Sequence, residues 1–138
     1  MTRGGLDAEV WLLMSNLVLD QERRREVSDA VGISFGRARA VRRLARRPMS
    51  MSELATALGI ERPNATALVD ELEAQGLVRR RPHPTDRRAK LVEATRKGKA
   101  LARRADEILA TPPPQISGLG ADELETLHRI LTDMSADS

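Results

Sequence analysis

The side chains best equipped for chemistry in this chain are donors for a polyanion, not groups for making and breaking bonds. Arg62, Asn64, Ala65 and Thr66 fall within a turn and a half of chain. A guanidinium can give two hydrogen bonds to a guanine edge, an Asn amide can pair bidentately with adenine, and a Thr or Ala methyl can meet that of thymine. Asn64 has a second possible use, as a local cap to its own backbone. Further on, Arg79, Arg81 and Lys90 are candidates for backbone phosphate, and Arg87 and Arg88 for a narrow minor groove. Ser50 and Ser52 can offer hydroxyls and unpaired N–H groups to a phosphate, with Ser50 equally suited to a purely structural cap. Catalytic alternatives are thin. There is no cysteine, the two histidines lie far apart, and no glycine-rich phosphate loop occurs. A nucleophile–base pair, a thiolate site and a metal cluster all lack their parts, so no enzyme, metal or cofactor is expected.

The elements that must hold these residues can be read from local signals. Ser50 and Glu53 form a Ser-x-x-Glu capping box, which opens a short helix over 51–58 with Leu54, Ala55 and Leu58 facing inward. Gly59 ends it, since a left-handed closing residue is least strained without a Cβ. A second helix starts at once, with Pro63 in its first turn, Leu68, Val69 and Leu72 as its apolar stripe, and Gln75-Gly76 as its stop. Two short helices joined through a glycine make a helix-turn-helix, whose second helix enters the major groove. Asp70, Glu71 and Glu73 would repel phosphate, so the later half of that helix should point away from the DNA backbone. Leu77-Val78 then begins a strand that turns basic at 79–81 and breaks at Pro82 and Pro84. A second strand follows over 89–95, with Lys90 and Glu93 outward.

Residues 54–101, LATALGIERPNATALVDELEAQGLVRRRPHPTDRRAKLVEATRKGKAL, resemble the MarR family of bacterial winged-helix regulators. Asp86-Arg87-Arg88 stands where that family carries its Asp-x-Arg wing signature, and the frame Leu68-Val69, Leu72-Glu73, Gly76-Leu77-Val78 matches as well. The resemblance implies that the first turn of the second helix reads bases and that Arg88, with Arg87, reaches the minor groove. Ala67 stands where many relatives carry a longer polar residue, which implies fewer base contacts. Asp86 is expected to brace an arginine of the wing. His83 replaces a commonly acidic residue and is expected to be a solvent-exposed spectator. The absence of cysteine sets this chain apart from the branch of the family that senses peroxide through a thiol.

Charge supports a division of labour. The net charge is +3, with a basic centre and an acidic end. Residues 37–47 hold six arginines and no acid, 79–104 hold eleven Lys or Arg against Asp86 and Glu93, and from 105 onward seven acids face Arg129 alone. A basic middle suits a polyanion and leaves the other face for something else. No apolar run approaches the ~18 residues of a membrane span, and no basic leader with an apolar core opens the chain, so a cytoplasmic protein is expected.

The remaining pattern predicts helices over 6–27, 34–46, 96–110 and 121–134, with 28–32 and 115–120 as connectors and Pro112-Pro113-Pro114 as a firm stop. The first is apolar nearly all round, which in so short a chain calls for a second subunit as cover. Leu124, Leu127, Leu131 and Met134 are spaced like an a/d seam. The expected fold is therefore mainly α with a small β-hairpin wing. It is one domain over 1–138, in which 33–95 form the winged helix-turn-helix and 6–27 with 96–138 a helical dimerisation arm. The triple proline departs from the long unbroken fifth helix of the family. The expected function is a homodimeric regulator, a repressor on a pseudo-palindrome in double-stranded DNA. By family analogy a small aromatic or phenolic ligand would release it, and Trp11, Asn16 and Phe35 are the candidates for the ligand cleft. A winged-helix protein-interaction module and an architectural DNA binder of low sequence preference are the competing readings.

Overall fold

The computed structural model describes residues 4–19 and 21–136. Among the described residues eight helices and three strands follow in the order α1 (Leu6–Val18), α2 (Gln21–Val31), α3 (Phe35–Arg46), β1 (Met49–Ser50), α4 (Met51–Leu58), α5 (Arg62–Ala74), β2 (Val78–Pro82), β3 (Lys90–Ala94), α6 (Arg96–Ala110), α7 (Pro114–Ser117) and α8 (Ala121–Ala136). The protein is mainly helical with a small antiparallel sheet in the order β1-β3-β2. This is the winged-helix arrangement that the sequence predicts.

Local chemistry accounts for the central elements. The Ser34 hydroxyl accepts from the Arg37 N–H at 3.3 Å and starts α3. The capping box forms in both directions: Glu53 N–H donates to Ser50 Oγ at 3.1 Å, and Ser50 N–H donates to Glu53 Oε1 at 3.2 Å. Gly59 closes α4 at φ 69° and Gly76 follows α5 at φ 74°, both in the left-handed region. Around Gly76 three elements are knotted together. The Thr95 hydroxyl donates to Gly76 O at 2.6 Å and also accepts the N–H of Gly98 at 3.1 Å, capping α6. Lys97 Nζ donates to Gln75 O at 3.0 Å, a cation at the negative end of α5. Gly98 is tightly held, because a Cβ there would lie 2.1 Å from Leu77 O.

The main core joins Val41 and Leu44 of α3, Leu54 of α4, Val69 and Leu72 of α5, and Leu77, Val78 and Val92 of the sheet region. A smaller cluster of Val27, Ala38 and Ala105 ties α2, α3 and α6 together, flanked by half-buried Phe35, Ile108 and Leu109. Arg23 of α2 adds bonds to the carbonyls of Ile108, at 3.1 Å, and Thr111. The helices on either side of the winged unit thus share its core, and packing does not break at residues 33 and 95.

Three elements differ from the expectation. The single helix over 6–27 is two helices, α1 ending at Val18 and α2 running through residues 28–31, which were expected to be connector. β1 was not foreseen: Met49 and Ser50 pair with Val92 and Leu91, partners more than forty positions away that give no local signal. Part of the expected linker after the prolines is α7, opened by Pro114, whose missing N–H is not needed in a first turn. In the single chain α1 contributes no buried residue, and neither does α8. Leu12, Leu13 and Val18 are 60%, 64% and 77% exposed in the single chain.

Candidate nucleic-acid interface

A cavity of about 590 Å³ opens between α4, the start of α5 and the wing. Ser50, Ser52, Arg62, Thr66, Arg88 and Lys90 line it, so six of the expected contact residues converge on one concavity. Two acids, Glu53 and Asp86, stand among them. Glu53 is occupied: besides its capping bond, it accepts from Arg47 Nη1 at 2.9 Å. That bond, followed by the Ser50 N–H, holds its carboxyl below the ordinary glutamate range.

The first turn of α5 sorts its candidates. Arg62 and Asn64 are exposed, and among the described residues neither side chain has a hydrogen-bond partner. The alternative of Asn64 as a local cap is thus not realised; its backbone N–H bonds Glu61 O instead. Thr66 Oγ1 donates to Arg62 O at 3.1 Å, which leaves the methyl as its group for an incoming base. Ala65 is a correction. It is fully buried, so its methyl faces the core and cannot meet thymine.

Of the basic residues around the sheet, some are free and some are not. Arg87, Arg88 and Lys90 are exposed and have no acidic partner among the described residues. Arg79 and Arg81 share Glu93, with Nε–Oε distances of 2.7 and 3.0 Å. Glu93 was expected to be exposed; its side chain is only 17% accessible, and the bond from Arg79 lowers its pKa from the ordinary glutamate value. Arg79 lies directly opposite Glu93 in the β2–β3 register and Arg81 lies on the diagonal. Cross-strand neighbours of opposite charge are the signal that alternation could have supplied.

Arg80 performs a different task. From β2 it reaches two carboxylates of α5, with Nη2–Asp70 Oδ1 at 2.6 Å and Nη1–Glu73 Oε1 at 2.7 Å. Burial alone would lower its pKa, but the bond to Asp70 and the charges of Glu73 and Asp70 outweigh burial and raise it. Arg37 of α3 takes up the third acid, its Nε lying 2.7 Å from Glu71 Oε2. The acids of α5 are therefore spent on neighbouring arginines: Asp70 and Glu73 tie α5 to the wing, and Glu71 ties it to α3.

The wing turn brings two further differences. Asp86 does not brace a guanidinium; its Oδ1 accepts the backbone N–H of Arg88 at 3.0 Å. His83 is half-buried and its Nδ1 accepts the N–H groups of Thr85 and Asp86, at 3.2 and 3.1 Å. The histidine expected to be a spectator closes the turn.

The proposed ligand residues do not converge. Trp11 is 70% exposed in a groove with Leu6, Val10, Met14 and Met134. Asn16 is exposed on the same helix, while Phe35 packs in the α2–α3–α6 cluster with the Arg24 guanidinium 5.3 Å from its ring centre. A separate apolar cavity of about 350 Å³, lined by Met14, Leu17, Pro113, Ile116 and Leu131 among others, contains none of the three. Among the described residues no His, Asp or Glu cluster could hold a metal, and no helix is long and apolar enough to cross a membrane.

Comparison with known proteins agrees with the winged-helix fold. A MarR family model matches residues 31–89. Over nearly the whole length, the fold is similar to wild-type MarR of E. coli (24% identity, 97% of each chain covered, TM-score 0.71). It is also similar to RV1404 of Mycobacterium tuberculosis (24% identity, 99% and 95% covered, TM-score 0.77). A third similar structure is the transcriptional repressor CouR bound to a 23-mer DNA duplex (28% identity, 98% and 99% covered, TM-score 0.68). Members of the family are transcription regulators and not enzymes. The MarR family model spans the helix-turn-helix and most of the wing, and over nearly its whole length the chain shares the fold of these winged-helix regulators.

Proposed function

We propose that two copies of this chain bind one pseudo-palindromic DNA site as a repressor, each copy reading a half-site. The observation that carries this reading is the shared cavity, where Arg62 and Thr66 of α5 meet Ser50 and Ser52 of α4 and the wing's Arg88. A half-site calls for a major-groove helix, phosphate donors and a minor-groove arginine, and residues suited to each line this one cavity. Asn64 and Arg87 extend the same edge, and Lys90 adds a phosphate contact. Arg79 and Arg81 act mainly on the wing, which their shared carboxylate stiffens. CouR, a transcriptional repressor similar to this chain, has been solved bound to a 23-mer DNA duplex.

Association is supported by a different observation. The large hydrophobic side chains that remain exposed among the described residues lie on residues 6–19 and 124–134 only. Withdrawing each from water contributes about 1.5–3 kcal/mol, so half a dozen suffice to offset the roughly 4–15 kcal/mol of freedom lost on association. A second copy offers the same apolar face and so the matching partner. The reading heads then lie about one helical turn of DNA apart. A small apolar ligand bound beside α1, α7 and α8 would act by favouring one separation of the heads over another.

A salt titration on a duplex selected from a random-sequence pool tests this function. The expected result is a loss of orders of magnitude in affinity between ~50 and ~200 mM salt, with a large ratio of specific to random binding throughout. A flat dependence supports the protein-interaction module instead, and a steep one without sequence preference supports the architectural binder.

A further inference from the structure

The turn between β2 and β3 hangs on one imidazole. His83 N–H donates to Ala89 O at 3.3 Å, continuing the ladder beyond Pro82. Its ring then folds over the turn, and Nδ1 accepts the N–H of Thr85 at 3.2 Å and that of Asp86 at 3.1 Å. Asp86 passes the order along, because its Oδ1 accepts the N–H of Arg88 at 3.0 Å and its carbonyl accepts the N–H of Ala89 at 3.2 Å. A nitrogen that accepts must carry a lone pair, so the ring is neutral with its proton on Nε2. Proton uptake at Nδ1 removes that lone pair and points a third donor at two others. The new N–H has Thr85 Oγ1, 3.3 Å away, to turn to, and turning there abandons both amides.

We propose that His83 is a positioning residue of the wing: its neutral imidazole holds the turn that presents Arg87 and Arg88, and its protonation in mild acid opens the turn and weakens DNA binding. This rests on the reading that the wing contacts DNA. Histidine is the side chain whose unperturbed charge change falls between pH 5 and 8, which sets the range of the test. An Asp or Asn closes such a turn through its side-chain oxygen, and Asp86 makes that same kind of bond beside it. The charged groups lining the same cavity are Glu53 of α4, Arg62 of α5, Arg80 of β2, Asp86 and Arg88 of the turn, and Lys90 of β3. A new positive charge on His83 is also attractive to phosphate, which opposes the effect. The turn prevails because it positions two arginines, whereas protonation adds a single charge.

The test uses the full chain, wild type and His83→Asn, at pH values of about 7.5 and about 5.8 and constant ionic strength. Asn keeps an acceptor near the place of Nδ1 but does not titrate, so it subtracts the titration of every other group. In the free protein, protection of the Thr85 and Asp86 amides from exchange should fall about tenfold on acidification in wild type and hold in the variant. Affinity for the duplex selected at the higher pH should fall about tenfold more in wild type than in the variant. Parallel pH profiles for the two proteins, or wild-type binding that strengthens in acid relative to the variant, overturn the proposal. Failure to select any duplex refutes the DNA-binding reading instead, and the amide exchange still decides whether His83 governs the turn.

Discussion

From α2 to α6 the helices share buried side chains: Val27 in α2, Val41 and Leu44 in α3, Leu54 in α4, Val69 and Leu72 in α5, Ala105 in α6. In α1 and α8 the same kinds of residue stand in water, with Trp11 70% and Met134 57% exposed. Composition does not explain the contrast, since α1 is among the most apolar stretches of the chain. Supply of neighbours does. The middle helices surround one another and a sheet, whereas α1 and α8 have between them only shallow grooves and the short α7. The first region buries its apolar side chains within one chain, and the second leaves them exposed.

The sharpest way to break that contrast is to charge the open region. Leu13→Asp on α1 should leave the helical content of the winged body unchanged and split the pair. Affinity for the full palindrome should then fall by about a hundredfold or more, because joined half-sites gain that much from being linked. Band shifts alongside sedimentation would read both effects. A variant that stays paired would show that α1 is not the joining face. The closed region should respond in the opposite sense. Gly98→Ala sets a methyl against Leu77 O, where a Cβ would lie 2.1 Å away, and should cost about 1–3 kcal/mol on thermal unfolding. Its self-association should persist below the new melting point. Smaller again is Arg80→Met. Each of its exposed carboxylate partners is worth at most about 1 kcal/mol in stability, so Tm should move by only a few degrees. DNA affinity should fall about tenfold through loss of the fixed angle between α5 and the wing.

The same contrast separates what could be read from the sequence from what could not. Features set by neighbours in the chain were legible: Ser50 with Glu53, the glycines at 59 and 76, the break at the prolines. Those set by distant partners were not. β1 is a strand only because Val92 and Leu91 lie beside it. Glu93 is half-hidden only because two arginines close over it. Ala65 sits on the inner side of the turn and a half that also carries Arg62 and Thr66, and residue type alone does not tell a methyl for thymine from a methyl for the core. His83 would have been legible as a turn closer had its Nδ1 been weighed as a substitute for a carboxylate oxygen.

Within the basic region we propose that the free arginines meet DNA, while the arginines paired with Glu93 stiffen the wing. The slope of log affinity against log salt concentration tests that division most directly, measured on the selected duplex for wild type, Arg88→Ala and Arg79→Ala. Each cation withdrawn from the DNA backbone region lowers the slope by about 0.9, so removal from both copies should lower it by about 1.8 for Arg88→Ala. For Arg79→Ala, with Glu93 as its partner, the slope should stay near the wild-type value. Equal slopes for wild type and Arg88→Ala, or a larger change at Arg79 than at Arg88, would contradict it.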